Sequence, residues 1–190
     1  MYELLDAVLI APFRLPGNAV AGFYLGTFLL ALASLLLGRL TYDLVWLFNR
    51  AHYAREEKEM ARMHNRSVAA IEAGDKAAYK AANKEANEAF GKSFFAGAAL
   101  FSVSVWPVPF ALAWLSGRFE GLDVPFLPGH GLRYNAVFLG GYILLRLAMW
   151  PLWQKLPGFG RVERQRRDTA ARRAKLRSWT ELAKPAAPRD

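Results

Sequence analysis

The side chains best placed to do chemistry are charged ones inside apolar segments. Arg39 lies about twenty residues into the first apolar run, and Asp43 follows four residues later on the same helical face. Arg146 is the single charge in the last apolar run, from Tyr134 to Trp153. A guanidinium at membrane depth costs about 2.5–3.5 kcal/mol on insertion scales, so such residues face a bundle interior or water. Both arginines are therefore candidates for a polar site.

Each arginine has a structural and a functional interpretation. Arg39 either snorkels at the inner membrane boundary or lies deeper and needs a polar cavity, and a pair with Asp43 fits both. Arg146 lies about 18 Å along its helix from Tyr134, somewhat past the membrane midplane. It either holds the helices together through a salt bridge or a carbonyl contact, or it lines a functional groove.

The sequence offers little other reactive chemistry. It has no cysteine, which excludes disulfides and thiolate metal sites, and its three histidines lack a metal-ligand spacing. It contains neither a glycine-rich phosphate loop nor a nucleophile elbow, and no apolar run carries a pair of carboxylates. We therefore predict no catalytic residue, metal, cofactor or small-molecule substrate, and no enzymatic activity.

Charge is segregated into blocks between long apolar runs, which is typical of a membrane protein. Residues 15–38 and 93–117 carry no charge, and each run is long enough to cross about 30 Å of hydrocarbon. The predicted layout is an outer-side interfacial segment at 1–18, transmembrane helix 1 at 19–48, a cytoplasmic helical hairpin at 49–92, a proline-kinked transmembrane helix 2 at 93–117, an outer loop at 118–133, transmembrane helix 3 at 134–154 and a basic cytoplasmic tail at 155–190.

Prolines set several of these boundaries. Pro12 is expected to end a short interfacial helix, because proline lacks the amide hydrogen that a helix interior needs. Pro107 kinks transmembrane helix 2, and Ser102 and Ser104 could satisfy the carbonyls that the kink frees. The glycines and prolines of residues 118–133 indicate a loop.

A helical hairpin is predicted between the first two spans. Gly74 suits the left-handed residue that ends one helix, and Asp75 suits the N-cap of the next. The spacing of apolar residues places a packing seam on each arm. The first arm has the weaker seam, which consists of Tyr53, Met60, Met63 and Ile71. The seam of the second arm consists of Tyr79, Ala82, Ala86 and Ala89.

Basic residues indicate the orientation. The hairpin has nine Lys and Arg residues and the tail from Lys155 has eleven, whereas the N-terminal segment has one and the linker at 118–133 has two. Cytoplasmic segments carry the excess of Lys and Arg. The predicted fold class is therefore an all-α membrane protein with three transmembrane helices, N-out/C-in, in a bacterial inner membrane, with a cytoplasmic antiparallel hairpin between spans 1 and 2.

This layout resembles the YidC/Oxa membrane insertase superfamily, particularly its minimal three-span members. The resemblance covers roughly residues 19–155. It rests on the architecture, on the place of the hairpin and on a basic residue near the inner half of the first span, here Arg39. Met60 and Met63 match the methionine-rich hairpin face of many members. The resemblance implies an activity in membrane protein biogenesis, with other membrane proteins as clients.

The basic tail has three interpretations. Its arginines and lysine can bind anionic lipid of the cytoplasmic leaflet, at about 1 kcal/mol per basic residue. They can simply enforce topology. The resemblance alone implies contact with ribosomal RNA. The predicted contact residues are Arg164, Arg166, Arg167, Arg172, Arg173, Lys175 and Arg177.

Two functions from different classes follow from these patterns. In the first, the chain assists insertion or assembly of other membrane proteins through a polar notch open to the cytoplasmic leaflet. The predicted groove residues are Arg39, Asp43, Ser102, Ser104 and Arg146. In the second, the chain is a non-catalytic subunit that docks on a larger membrane complex through its hairpin. A subunit would have a dry bundle with paired arginines, and an insertase would have a hydrophilic cavity.

Overall fold

The computed structural model describes residues 2–127, 130–155 and 159–171, and most of them are helical. The side chains of Tyr2, 126–127, His130 and 168–171 are not part of this description. The elements are α1 (Tyr2–Arg14), α2 (Ala19–Glu72), α3 (Lys76–Val105), α4 (Pro107–Phe119), β1 (Asp123–Leu127), β2 (His130–Arg133), α5 (Tyr134–Met149) and α6 (Phe159–Ala171).

Two helical stretches are long and apolar enough to cross a membrane. They are Ala19–Glu72 and Lys76–Phe119. The first is unbroken from the apolar run into the polar segment, as predicted. The apolar helix α5 has 16 residues, or about 24 Å, and it ends at Met149 rather than near residue 154. Pro151 cannot donate a helical hydrogen bond, and the chain turns there until Lys155.

The prediction for Pro12 is wrong, because α1 continues through it to Arg14. Packing explains the difference. Phe13 is 9% exposed. Its ring occupies the space that a Cβ on Gly26 would need, and its carbonyl oxygen occupies the space that a Cβ on Gly22 would need. Contact of this kind outweighs one lost hydrogen bond at the end of a helix. Pro107 acts as predicted, since α3 ends at Val105 and α4 begins at Pro107.

The linker at 118–133 is not an irregular loop. It contains a two-stranded antiparallel sheet, in which Asp123 is paired with Arg133 and Val124 with Leu132. This sheet corrects the all-α prediction. The Tyr24 hydroxyl of α2 donates to the carbonyl of Pro125 at 2.8 Å, and Val124 is 6% exposed. The segment is ordered by contacts with distant parts of the chain.

The chain forms two compact units. The first comprises 1–44 and 101–161, and the second comprises 45–100 and the chain from Val162. The core of the first unit is aromatic around Phe13, which contacts the rings of Trp114 and Phe119 at centroid distances of 5.6 and 5.1 Å. The same core takes in Phe138 and Tyr142 of α5.

The second unit contains the two arms of the predicted hairpin segment. Gly74 has a φ of 70°, and Asp75 accepts the Ala78 amide at 2.9 Å, so the helix stop and the N-cap are as predicted. On the second arm the seam residues Tyr79, Ala82 and Ala86 are half-buried and Ala89 is buried. On the first arm Met63 is buried, Tyr53 and Met60 are half-buried, and Ile71 is 37% exposed.

Candidate functional site

Arg146 lies at the centre of a small polar group inside the first unit. Its Nη1 donates to the hydroxyl of Tyr142, one turn earlier in α5, at 3.0 Å. Its Nη2 donates to Oγ of Ser104 in α3 at 3.2 Å. The guanidinium carbon is 5.5 Å from the centroid of the Phe101 ring, which is a cation–π distance. Side chains of α3 and α5 therefore converge on one cation.

The partners of Arg146 are neutral. Ser104 and Tyr142 are 6% and 5% exposed, and Arg146 is half-buried. Within residues 2–127, 130–155 and 159–171, no carboxylate pairs with this arginine. Hydroxyls and a ring face stabilise a cation less than a carboxylate does. These contacts also use two of the five guanidinium N–H donors. The site can therefore accept a further polar or anionic group.

Arg39 has the opposite surroundings. Its Nε donates to Oδ2 of Asp43 at 3.0 Å, and the two side chains are 15% and 6% exposed. The guanidinium carbon also lies 5.6 Å from the Tyr42 ring centroid and 5.4 Å from that of Trp153. The predicted pair with Asp43 is present, and its charges cancel within a mostly aromatic enclosure.

Gly38 positions the Arg146 group. A Cβ built on Gly38 would overlap the carbonyl oxygen of Ser104, so α2 and α3 touch through their backbones here. Ser104 Oγ also donates to the carbonyl of Phe101 at 2.7 Å, which fixes the hydroxyl that Arg146 reaches. Close backbone approach through small residues is a common form of helix packing in membranes.

The predicted groove residues fall into two groups. Ser104 contacts Arg146, and Arg39 contacts Asp43, whereas Ser102 is exposed on α3. Sequence reasoning missed Tyr142, Phe101, Tyr42 and Trp153. Tyr142 and Arg146 are four residues apart, which places them on one helical face, so the sequence could have indicated this contact. The contact of Trp153 with Arg39 depends on the turn after α5, which no local pattern specifies.

A second missed group ties α1 to α4, and we call Asp6, Trp114 and Arg118 the N-terminal clasp. Asp6 Oδ1 accepts the Trp114 indole N–H and the Arg118 Nε–H, each at 3.0 Å. The other carboxylate oxygen accepts a hydrogen bond from Arg118 Nη2. Asp6 is 14% exposed in its side chain, so this pair is largely shielded from solvent.

The predicted contact residues of the tail are described in part. In α6, Arg166 and Arg167 lie 3.2 and 3.6 Å from Oε1 of Glu163, which is 8% exposed. Arg164 is exposed on the same helix. The remaining predicted residues, Arg172, Arg173, Lys175 and Arg177, lie outside the described residues.

Comparison with known proteins gives no relative: no family model, no curated protein and no solved structure matches this chain.

Proposed function

We propose that this protein assists the insertion or assembly of other membrane proteins, through a polar site at Arg146 that opens to the cytoplasmic leaflet. The observation that carries the proposal is the hydroxyl-lined Arg146 guanidinium, which has no carboxylate partner among the described residues. In hydrocarbon such a cation draws in water or a polar group. The polar flanking segment of a client protein therefore crosses the membrane at a lower free-energy cost at this site than through lipid.

The length of α5 supports the same proposal. We propose that α5 is the third span, with the N-terminus outside and the hairpin and tail in the cytoplasm. Its 16 residues reach about 24 Å, which is less than the roughly 30 Å of hydrocarbon. A short span is accommodated by local thinning of the bilayer. Thinning next to Arg146 further shortens the apolar path that a client segment must cross.

The membrane surface is the other proposed partner. The basic residues of α6 and of the tail beyond it bind anionic lipid of the cytoplasmic leaflet, with ribosomal RNA as an alternative ligand. Two described arginines, Arg166 and Arg167, share Glu163, which offsets part of their charge. Arg161 and Arg164 are exposed on the same helix and add to this basic surface.

A non-catalytic subunit of a larger membrane complex is the second candidate. The Arg39–Asp43 pair favours it, because the pair is neutralised within α2 and leaves no net charge for a client, while Arg39 also lies over the Trp153 ring and so joins α2 to the turn after α5. In this alternative the helical hairpin is the docking arm. The YidC/Oxa resemblance supports the first candidate through the architecture and the place of the hairpin between the first two spans.

Substitution of Arg146 separates the two candidates. In a hydrated site, Arg146→Lys keeps the charge and should retain at least half of the activity, whereas Arg146→Leu should lose about tenfold or more. The assay is insertion of a client with a short translocated tail into vesicles that contain the purified protein, with protein abundance measured in parallel. Arg133→Leu is the matched control, because it removes an exposed charge that precedes the same helix.

The subunit candidate predicts a different pattern. There Arg146→Lys should fail nearly as badly as Arg146→Ala, because the flat two-pronged geometry to Tyr142 and Ser104 is lost. Full insertion activity with Arg146→Leu, at unchanged abundance, would refute the insertase proposal.

A further inference from the structure

An apolar cleft of about 560 Å³ lies between α1, α2 and α4 of the first unit. Its lining includes Leu5 and Leu9 from α1, Leu30 and Leu37 from α2, and Phe110 from α4. It opens beside Phe110, which is 68% exposed. We place this opening in the hydrocarbon, because α2 and the α3–α4 stretch have the length and apolar character of membrane spans.

The two indole N–H groups in the lining are already engaged. The Trp106 indole N–H donates to Oγ1 of Thr41 at 3.1 Å, and the Trp114 indole N–H donates to Asp6 at 3.0 Å. Ser34 is 5% exposed. The cleft therefore presents hydrocarbon and ring carbon to its occupant, which selects an aliphatic chain rather than a ligand fixed by hydrogen bonds.

One rim of the cleft, next to Trp114, carries the Arg118–Asp6 ion pair. Arg118 is 41% exposed in its side chain and bonds Asp6 through Nε and Nη2. Asp6 lies in α1 between Leu5 and Leu9, which both line the cleft. Asp6 also accepts a hydrogen bond from Trp114, another lining residue. The guanidinium has five N–H donors, so three remain to bind an oxyanion, and arginine suits phosphate oxygens. An apolar slot with such a rim complements a lipid whose headgroup contains phosphate.

The apolar lining and the neighbouring Arg118 together favour an amphiphile with a thin aliphatic chain over an apolar helix. We infer that the cleft binds one acyl chain of a phospholipid from the leaflet that α1 occupies, with the lipid phosphate at Arg118. This site is independent of the function proposed for Arg146.

Photolabelling of the full chain in lipid nanodiscs tests the inference. The probe is phosphatidylglycerol with a diazirine in one acyl chain, and labelled peptides are located by mass spectrometry. Labels should concentrate in α1 and α4. The double substitution A33F/A113F places two rings in the cleft from exposed lining positions and should lower this labelling at least fivefold. The matched control A99F, at an exposed position of α3 outside the lining, should leave it unchanged.

Other results would overturn the inference. Labels spread evenly over all apolar helices of the wild-type protein would mean that the probe binds only as ordinary annular lipid. Diacylglycerol carrying the same diazirine chain should label the cleft several-fold less. Equal labelling by the two probes would contradict the phosphate contact. A photoreactive residue at Ala33 that yields an adduct of twice the protein mass would assign the cleft to a second copy instead.

Discussion

Arg39 and Arg146 show that the same side chain can have opposite roles at two positions. Arg39 has a carboxylate at 3.0 Å and two aromatic rings, and its side chain is 15% exposed. Arg146 has two hydroxyls and one ring. We propose that the nature of the partner, rather than depth along a helix, decides whether the charge can act on other molecules. The spacing of four predicted the Asp43 partner, but no sequence pattern specified Ser104 as the partner of Arg146.

Removing one member of the buried Arg39–Asp43 pair should be more harmful than removing both. R39M leaves the Asp43 carboxylate buried without its neighbour, and loss of one partner costs about 3–5 kcal/mol. The double substitution R39M/D43L should recover most of that loss. The measurement is thermal unfolding in detergent for the two single variants and the double variant. Losses that simply add would show that the two residues do not interact.

Gly38 should tolerate no side chain. G38A pushes a methyl group into the Ser104 carbonyl and should destabilise the protein by about 1–3 kcal/mol, as overpacking does. G140A is the matched control, because open space surrounds that helical glycine. It should be neutral or stabilising by up to about 1 kcal/mol, since alanine is the better helix former. Equal unfolding temperatures for the two variants would contradict the close backbone contact.

At the level of helices and strands, the features with local causes were the predictable ones. Gly74 and Asp75 end one helix and begin the next through their own backbone and side-chain preferences. The β1–β2 sheet was missed because its sequence is rich in proline and glycine, which are depleted in strands. Its contact with Tyr24, 101 residues away from Pro125, has no local signal. The glycines at positions 22 and 26 indicate a place of close helix packing, but they do not identify the residue that packs there.

The second arm of the hairpin segment offers a paired test. A82E/A86E introduces two carboxylates at half-buried positions and should raise protease sensitivity near Gly74 several-fold. A77E/A81E adds the same two charges at the same spacing on exposed positions and should change little. The measurement is limited proteolysis of membrane vesicles. Equal sensitivity of both variants would mean that this seam does not pack.

For the whole molecule, two helical stretches have the length and apolar character of membrane spans, and the charge distribution predicts their orientation. The protein lacks cysteine, so single cysteines can be labelled without a background. A73C should react with an impermeant maleimide from the cytoplasmic side, and L122C should react from the opposite side. Labelling of both from one side would refute the three-span arrangement.

The N-terminal clasp bears on the order in which the chain assembles. Asp6 is separated by 108 residues from Trp114 and by 112 from Arg118, so these contacts close very long loops. At about 5–20 residues per second of synthesis, Arg118 is made roughly 6–20 s after Asp6. Phe13 can pack on Gly22 and Gly26 of α2 early, but the clasp at Asp6 is among the last contacts to form. A nascent chain that stops before Trp114 should leave the Asp6 end of α1 open to proteases and chaperones, whereas the completed chain protects it.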